Sequence, residues 1–261
     1  MSNLGSPLQI FARNTFSMIL REMRSRFGEE KLSYAWALLE PLGWVAMMSM
    51  VFFAMGSHVP PLGDSFLVFF TSGIVPYSTY QSVSGSVAKA VKQNKPLLHF
   101  PIIKPIDVFV SRTVLSTLTQ ITVFFIIIGA YCAIFRVSLK ADWLDVIIPF
   151  VFLGIMGFNV GIVNAVIFSY FKTWEHLWSV LTRPLFILSG IFYTIETMPK
   201  AAQDILYWNP ILHCIEWIRS GLYGEFTSKF VDLEFVFLVT FGGLFIALAL
   251  ERFFRRKLLD D

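Results

Sequence analysis

Between two long apolar runs stands the segment "LYWNPILHCIEWIR", residues 206–219, which brings Asn209, His213, Glu216 and Arg219 close together in the chain. An imidazole, a carboxylate and a guanidinium at helical spacing have the means to move a proton or to hold a charged group. Glu216 and Arg219, three apart on one helix, also have the reach to pair with each other, which is the simpler use of them. Asn209 before Pro210 predicts an N-cap followed by proline at the first helical position, and Gly221 or Gly224 is a natural stop. A helix over 210–220 is only about 16 Å long and does not cross a bilayer. Ile211, Ile215, Ile218 and Leu222 fall on one stripe, and Asn209, His213, Glu216, Ser220 and Tyr223 on another, so the helix has an oily and a wet side.

A second group lies in "GIVPYSTYQSVSGS", residues 73–86, where Tyr77 and Tyr80 accompany Ser78, Thr79, Gln81, Ser82, Ser84 and Ser86. Aromatic faces meet the C–H faces of pyranose rings, and hydroxyls and amides exchange hydrogen bonds with sugar hydroxyls. Hydrogen bonding between packed helices is the alternative use of the same residues. Both readings stay open.

Other chemistry is missing from the sequence. No G-x-x-x-x-G-K-[ST] phosphate loop occurs, and His58, His99, His176 and His213 are scattered without metal-ligand spacing. Cys132 and Cys214 read as small hydrophobes. No carboxylates on facing segments suggest a proton relay, and no internal repeat is evident. A pathway or a scaffold remains.

The elements that must position these residues follow from composition. Of 261 residues, 56% are hydrophobic and 15% charged, and the mean hydropathy is +0.65. Soluble domains carry about 25% charged residues. This is an integral membrane protein, all-α, and apolar windows of about 20 residues place six transmembrane helices near 38–56, 66–84, 107–135, 143–170, 178–195 and 230–250. A net charge of +3 is too small to suggest nucleic acid. The first thirty residues show no cleaved signal peptide.

Lysine and arginine fix the expected orientation. The arm to Ala37 holds five, loop 85–106 four, Lys172 stands in the turn 171–177, and the tail after the last span holds four; the loops on the other side hold five in all. Fourteen against five puts both termini in the cytoplasm.

Residues 1–37 form an N-terminal arm, and 38–261 a single transmembrane domain. In the arm, Leu8, Phe11, Ile19, Met23 and Phe27 share one face, while Arg13, Ser17, Arg21 and Arg24 recur on another. A basic amphipathic helix of this kind lies along the headgroups, or else packs on its own protein's surface. Loop 85–106 predicts a short basic helix to about Asn94, broken by Pro96 and Pro101. Residues 196–226 read as a re-entrant helical hairpin before the last span, with an interfacial helix as the alternative. At the bilayer centre Glu216 and Arg219 would each cost about 2.5–3.5 kcal/mol, so they face protein or a water-filled cavity. Gly157 and Gly161 in "GFNVG" make a small face for close helix packing.

Three stretches together resemble a known family: "RSRFGEEKLSYAWALLEPL" leading into the first span, "KPLLHFPIIKP" after the second, and "SGIFYTIETMP" with "WNPILHCIEWIRSGLYG" before the last. Nearly the whole chain is similar to the type-2 ABC exporter permeases of the capsular polysaccharide (KpsM-type) family. Ser189-Gly190, Pro199, Asn209-Pro210, Glu216 and Arg219 carry the most specific part of the likeness. The resemblance implies a homodimer joined to two copies of a separate ABC ATPase, which would bind the ATP and Mg, with no cofactor in this chain. Such a permease exports a lipid-linked, usually acidic polysaccharide from the bacterial inner membrane to periplasmic and outer-membrane capsule export components. By the same likeness Ser86, Lys89, Lys92, Asn94 and Lys95 would couple to the ATPase, and Arg13, Arg21 and Arg24 would form the entrance. Tyr77, Tyr80, Gln81, Ser84, Phe192 and Tyr193 would line the substrate pathway, with Asn209, His213, Glu216 and Arg219 in an outer gate beside water. Export of O-antigen, teichoic acid or a small drug stays open as an alternative, as do a membrane enzyme acting on lipid-linked sugars and a scaffold.

Overall fold

The computed structural model describes residues 7–27, 32–98, 103–171 and 173–260, and these are mostly helical, with no strand among them. His99, Pro101 and Lys172 lie outside the described residues, as do the side chains of Leu8, Phe11 and Phe27.

Eleven α-helices follow in chain order among the described residues. They are α1 (Pro7–Phe27), α2 (Leu32–Ala54), α3 (Phe66–Ala88), α4 (Ala90–Gln93), α5 (Lys95–Leu98), α6 (Pro105–Phe135), α7 (Trp143–Tyr170), α8 (Trp174–Leu188), α9 (Lys200–Leu206), α10 (Pro210–Tyr223) and α11 (Leu233–Asp260). By length and apolarity α2, α6, α7 and α11 are the four candidate membrane spans. The first begins earlier than expected, at Leu32, and α11 runs on through the basic tail.

At the centre is α3, which packs most extensively on α7 and is flanked by α2, α6 and α10. Protein surrounds most of it, so Thr71, Ser72, Thr79 and Ser84 are buried without facing lipid. The hydroxyls of Ser72, Thr79 and Ser84 return to carbonyls of the preceding turn, as Thr79 does to Val75 at 3.0 Å and Ser72 to Phe69 at 2.7 Å. Hydroxyls satisfied in this way let a polar helix sit in a dry core.

Close approach of α3 and α7 needs glycine. A Cβ on Gly157 would lie 2.8 Å from Val83 Cβ, and one on Gly161 would lie 2.6 Å from Val87 Cβ. The small face expected of "GFNVG" is therefore the α3 contact. On the opposite side of α7, Asn159 Nδ2 donates to the Thr240 carbonyl of α11 at 2.9 Å.

Two expectations need correction, and one open alternative is decided. The fifth apolar segment, expected over 178–195, is helical only to Leu188, because Ser189 leaves the helix and Gly190 takes a positive φ of 74°. The single loop helix is instead the last turn of α3 plus α4 and α5, separated at Lys89 and Asn94, where Asn94 Nδ2 folds back onto the Ala90 carbonyl at 2.9 Å. The arm helix packs on α6 with Thr15, Met18 and Glu22 inward, the second of the two readings the arm allowed. Glu22 explains the choice, since its carboxylate meets Arg112 of α6 at 3.1 Å.

Candidate functional site

Between α2, α3, α6 and α8 opens a groove of about 830 Å³. Its walls carry Trp36, Glu40 and Trp44 from α2, Tyr77, Ser78, Gln81 and Ser82 from α3, Thr119 and Gln120 from α6, and Ser179, Thr182, Arg183 and Phe186 from α8. Helical spacing aligns these groups: Trp36, Glu40 and Trp44 recur every four residues, as do Tyr77 and Gln81. Phe186 joins the walls, standing edge-on to Tyr77 at 5.1 Å and tilted to Trp44 at 6.1 Å. Tyr77 Oη donates to the Thr182 carbonyl at 3.2 Å, which ties α3 to α8. Among the described residues neither Glu40 nor Arg183 enters an ion pair. Aromatic faces next to amides, hydroxyls and two opposite charges suit a polar, ring-bearing ligand.

The residues expected along a pathway separate here. Tyr77 and Gln81 stand on the groove. Tyr80 turns to another cavity, of about 460 Å³, with Asn159, Trp208 and Asn209. Ser84 is buried, its hydroxyl on the Gln81 carbonyl at 3.1 Å. Phe192 packs against Phe70 and Phe186, and Tyr193 offers its carbonyl to Arg219 at 2.8 Å.

Around α10 no side lies open. Every residue from Ile211 to Arg219 is buried, against α7, α3 and α11. Asn209 caps the helix as expected, with Oδ1 accepting from the Ile211 N–H at 3.1 Å. Arg219 Nη1 donates to Glu216 Oε1 at 3.0 Å, Nη2 to the Ile191 carbonyl at 3.3 Å, and the guanidinium covers the Phe69 ring at 4.3 Å. The Asp232 N–H donates to His213 Nδ1 at 3.1 Å, so Nε2 carries the proton and donates to the Tyr207 carbonyl at 2.8 Å. The wet stripe expected on this helix thus faces protein, and its charges fasten α3, α10 and the 189–195 turn.

At the other end of α3 a third cavity, of about 730 Å³, is bounded by Arg21, Glu22, Gly85, Ser86, Lys89, Gln93, Asn94 and Arg112. Arg112 Nη1 donates to the Ser86 carbonyl at 2.8 Å and to Gln93 Oε1 at 2.7 Å while its Nε faces Glu22. Arg21 bonds to Asn94 Oδ1. Lys89 Nζ reaches Glu175 at 2.8 Å, and its hydrogen bond is the main cause that holds this carboxyl below the usual carboxylate range. Lys92 is exposed and Lys95 half-buried. Two groups that the sequence kept apart, the arm and the loop, therefore meet through Arg112. Arg13 and Arg24 remain exposed, away from this contact.

Sequence reasoning missed Trp36, Glu40, Trp44, Gln120 and Arg183 on the groove, and Glu22 and Arg112 in the cluster. A usable signal existed for three of them: Glu40, Arg112 and Arg183 are charges within otherwise apolar helices.

Residues 13–223 match the model of the family described as ABC-2 type transporter. The chain belongs to the ABC-2 type transporter family. The stretch typical of ABC-2 type transporters takes in the groove, the Arg112 cluster and α10, and stops at the last residue of α10, before α11. Among relatives, the polysialic acid transport protein KpsM of Escherichia coli is 29% identical over 90% of this chain and 91% of its own length. The capsule polysaccharide export inner-membrane protein BexB of Haemophilus influenzae is 21% identical, over 95% and 94%. The protein CtrC of Neisseria meningitidis serogroup A, with the same description, is 22% identical, over 89% and 88%.

Proposed function

We propose that this chain is the membrane-spanning permease subunit of an ATP-driven exporter that moves a lipid-linked capsular polysaccharide across the bacterial inner membrane. One observation carries the reading: the groove between α2, α3, α6 and α8 sets Trp36, Trp44, Tyr77 and Phe186 beside Gln81, Gln120 and several hydroxyls. Stacked rings with polar groups between them let a sugar chain slide without binding any one unit tightly. The names of three relatives, each aligned over most of its length, support the same cargo.

The subunit crosses the membrane six times, with α3 as a protein-enclosed span and α8 from residue 178 on, plus the turn after it, as the fifth. At 23 residues α3 is about 35 Å long, enough for a bilayer core of about 30 Å. Both termini are cytoplasmic, in line with the lysine and arginine distribution. Two copies form the exporter with two copies of a separate ABC ATPase, which binds ATP and Mg and seats the α4–α5 segment. Lys89, Lys92 and Lys95 face that partner, and Ser86 and Asn94 hold the segment in shape. Arg13, Arg21 and Arg24 attract anionic cargo at the entrance, and Asn209, His213, Glu216 and Arg219 brace the outer end. Periplasmic and outer-membrane components receive the polymer.

The test is export in a capsule-producing strain that lacks its own permease. The chain with its ATPase should restore surface polymer, and Tyr77→Ala with Gln81→Ala should lower export at least tenfold with ATP hydrolysis retained. Normal export by that double variant would remove the groove from the pathway.

A further inference from the structure

We propose that Arg183 is the charge-selecting residue of the groove, the group that favours a polymer bearing carboxylates over a neutral one. The inference rests on the reading of the groove as the sugar path, and goes beyond it by naming one contact and its chemistry.

The ion pair at the start of α8 marks where Arg183 stands along the groove. Lys89 and Glu175, 2.8 Å apart, put the end of α3 beside the start of α8. From Glu175 to Arg183 is eight residues, about 12 Å along the axis, and from Lys89 back to Gln81 is the same distance. Arg183 and Gln81 therefore stand at one level, well inside the apolar length of the helices, and both line the groove. An arginine at that depth is costly in lipid and is kept where it meets water, protein or cargo.

Arg183 is exposed, and among the described residues it has no ion pair and no hydrogen bond from its side chain. The contrast with the other cations inside the helices is clear: Arg112 and Arg219 are buried and fastened by several acceptors. A guanidinium offers a planar fork of donors that matches a carboxylate with two parallel hydrogen bonds. Glu40, likewise without an ion pair among the described residues, lies on the α2 wall, so an acidic sugar is drawn to α8 and repelled from α2. Trp44 and Phe186 beside it supply the ring faces against which the sugar lies.

The experiment measures calorimetric binding of two probes to the full chain in nanodiscs: an oligosialic acid and the same oligosaccharide with its carboxyl groups reduced to alcohols. Wild type should bind the acid form at least tenfold more tightly, with the difference shrinking as salt rises. Arg183→Gln should bring the ratio to about one without weakening the reduced form, and Arg183→Lys should keep part of the preference. Since Arg183 has no ion pair or side-chain hydrogen bond among the described residues, the melting temperature of both variants should match wild type. Equal binding of the two probes by wild type, or an unchanged ratio in Arg183→Gln, overturns the assignment and leaves the groove as a neutral sugar path. Failure of wild type to bind either probe overturns the groove reading together with this one.

Discussion

Arg219 holds Nη1 3.0 Å from Glu216 Oε1, and neither side chain has any exposure to solvent. Carbonyls of Ile191 and Tyr193 and the face of Phe69 complete the enclosure, so one guanidinium binds the 189–195 turn to α3 and α10. A pair of this kind contributes by being complete, because either charge left alone in the core would be unsolvated.

Removing one partner should therefore harm more than removing both. Arg219→Met alone is expected to lower stability by about 3–5 kcal/mol, and the double change Glu216→Gln with Arg219→Met by clearly less. Reversible unfolding in mixed micelles checks this. A single variant as stable as the wild type would mean that the pair fastens nothing.

The α3–α7 contact makes a contrast between two glycines. Gly161→Val must push against Val87 and should lose about 1–3 kcal/mol, whereas at Gly129 an added Cβ meets nothing within 4 Å. Gly129→Ala should be neutral or stabilise by up to about 1 kcal/mol through helix propensity. Melting curves of the two variants in one detergent separate the cases, and equal losses would contradict the packing.

Glu22 and Arg112 hold the arm to the helix bundle. Glu22→Gln should loosen α1, raising amide exchange along residues 12–24 at least tenfold while α7 exchanges as before. Hydrogen–deuterium exchange resolved by peptide reads both segments. Unchanged protection of α1 would show that apolar packing by Met18 suffices.

At the Lys89–Glu175 contact the expected pH dependence has a definite sign. The Glu175 carboxyl lies below its ordinary value, first through the hydrogen bond from Lys89. Its contribution is present above the unfolded carboxylate value, about 4.3, and is lost as pH falls through the lower folded value. The pair is partly exposed, so the effect is small. Wild type should melt slightly above Glu175→Gln at neutral pH, and the gap should close in the acid range. A gap that stays constant with pH would exclude the ion pair as its source.

Much of the architecture is legible because membrane helices declare themselves by length and apolarity. The segments holding α2, α6, α7 and α11, the Asn209 cap and the Gly157–Gly161 face all rest on local rules, which the chain obeys wherever it folds. What the residues alone left open was direction. Tyr77 and Tyr80, three apart, read as one aromatic pair, yet Tyr77 lines the groove and Tyr80 another cavity. The polar stripe of α10 read as a wet surface because periodicity reports polarity and says nothing of what lies opposite.

Two features were decided by tertiary structure alone. Arg112 of α6 joins Glu22 of the arm to Ser86 of α3 and Gln93 of α4, segments distant in sequence that no local pattern relates. The groove likewise takes walls from four helices, with Arg183 open on one wall and Arg219 sealed in the core. Sequence set the types and local shapes of these side chains; packing decided which charges were matched, because burial without a partner is too costly to persist and only the assembled helices supply the partners.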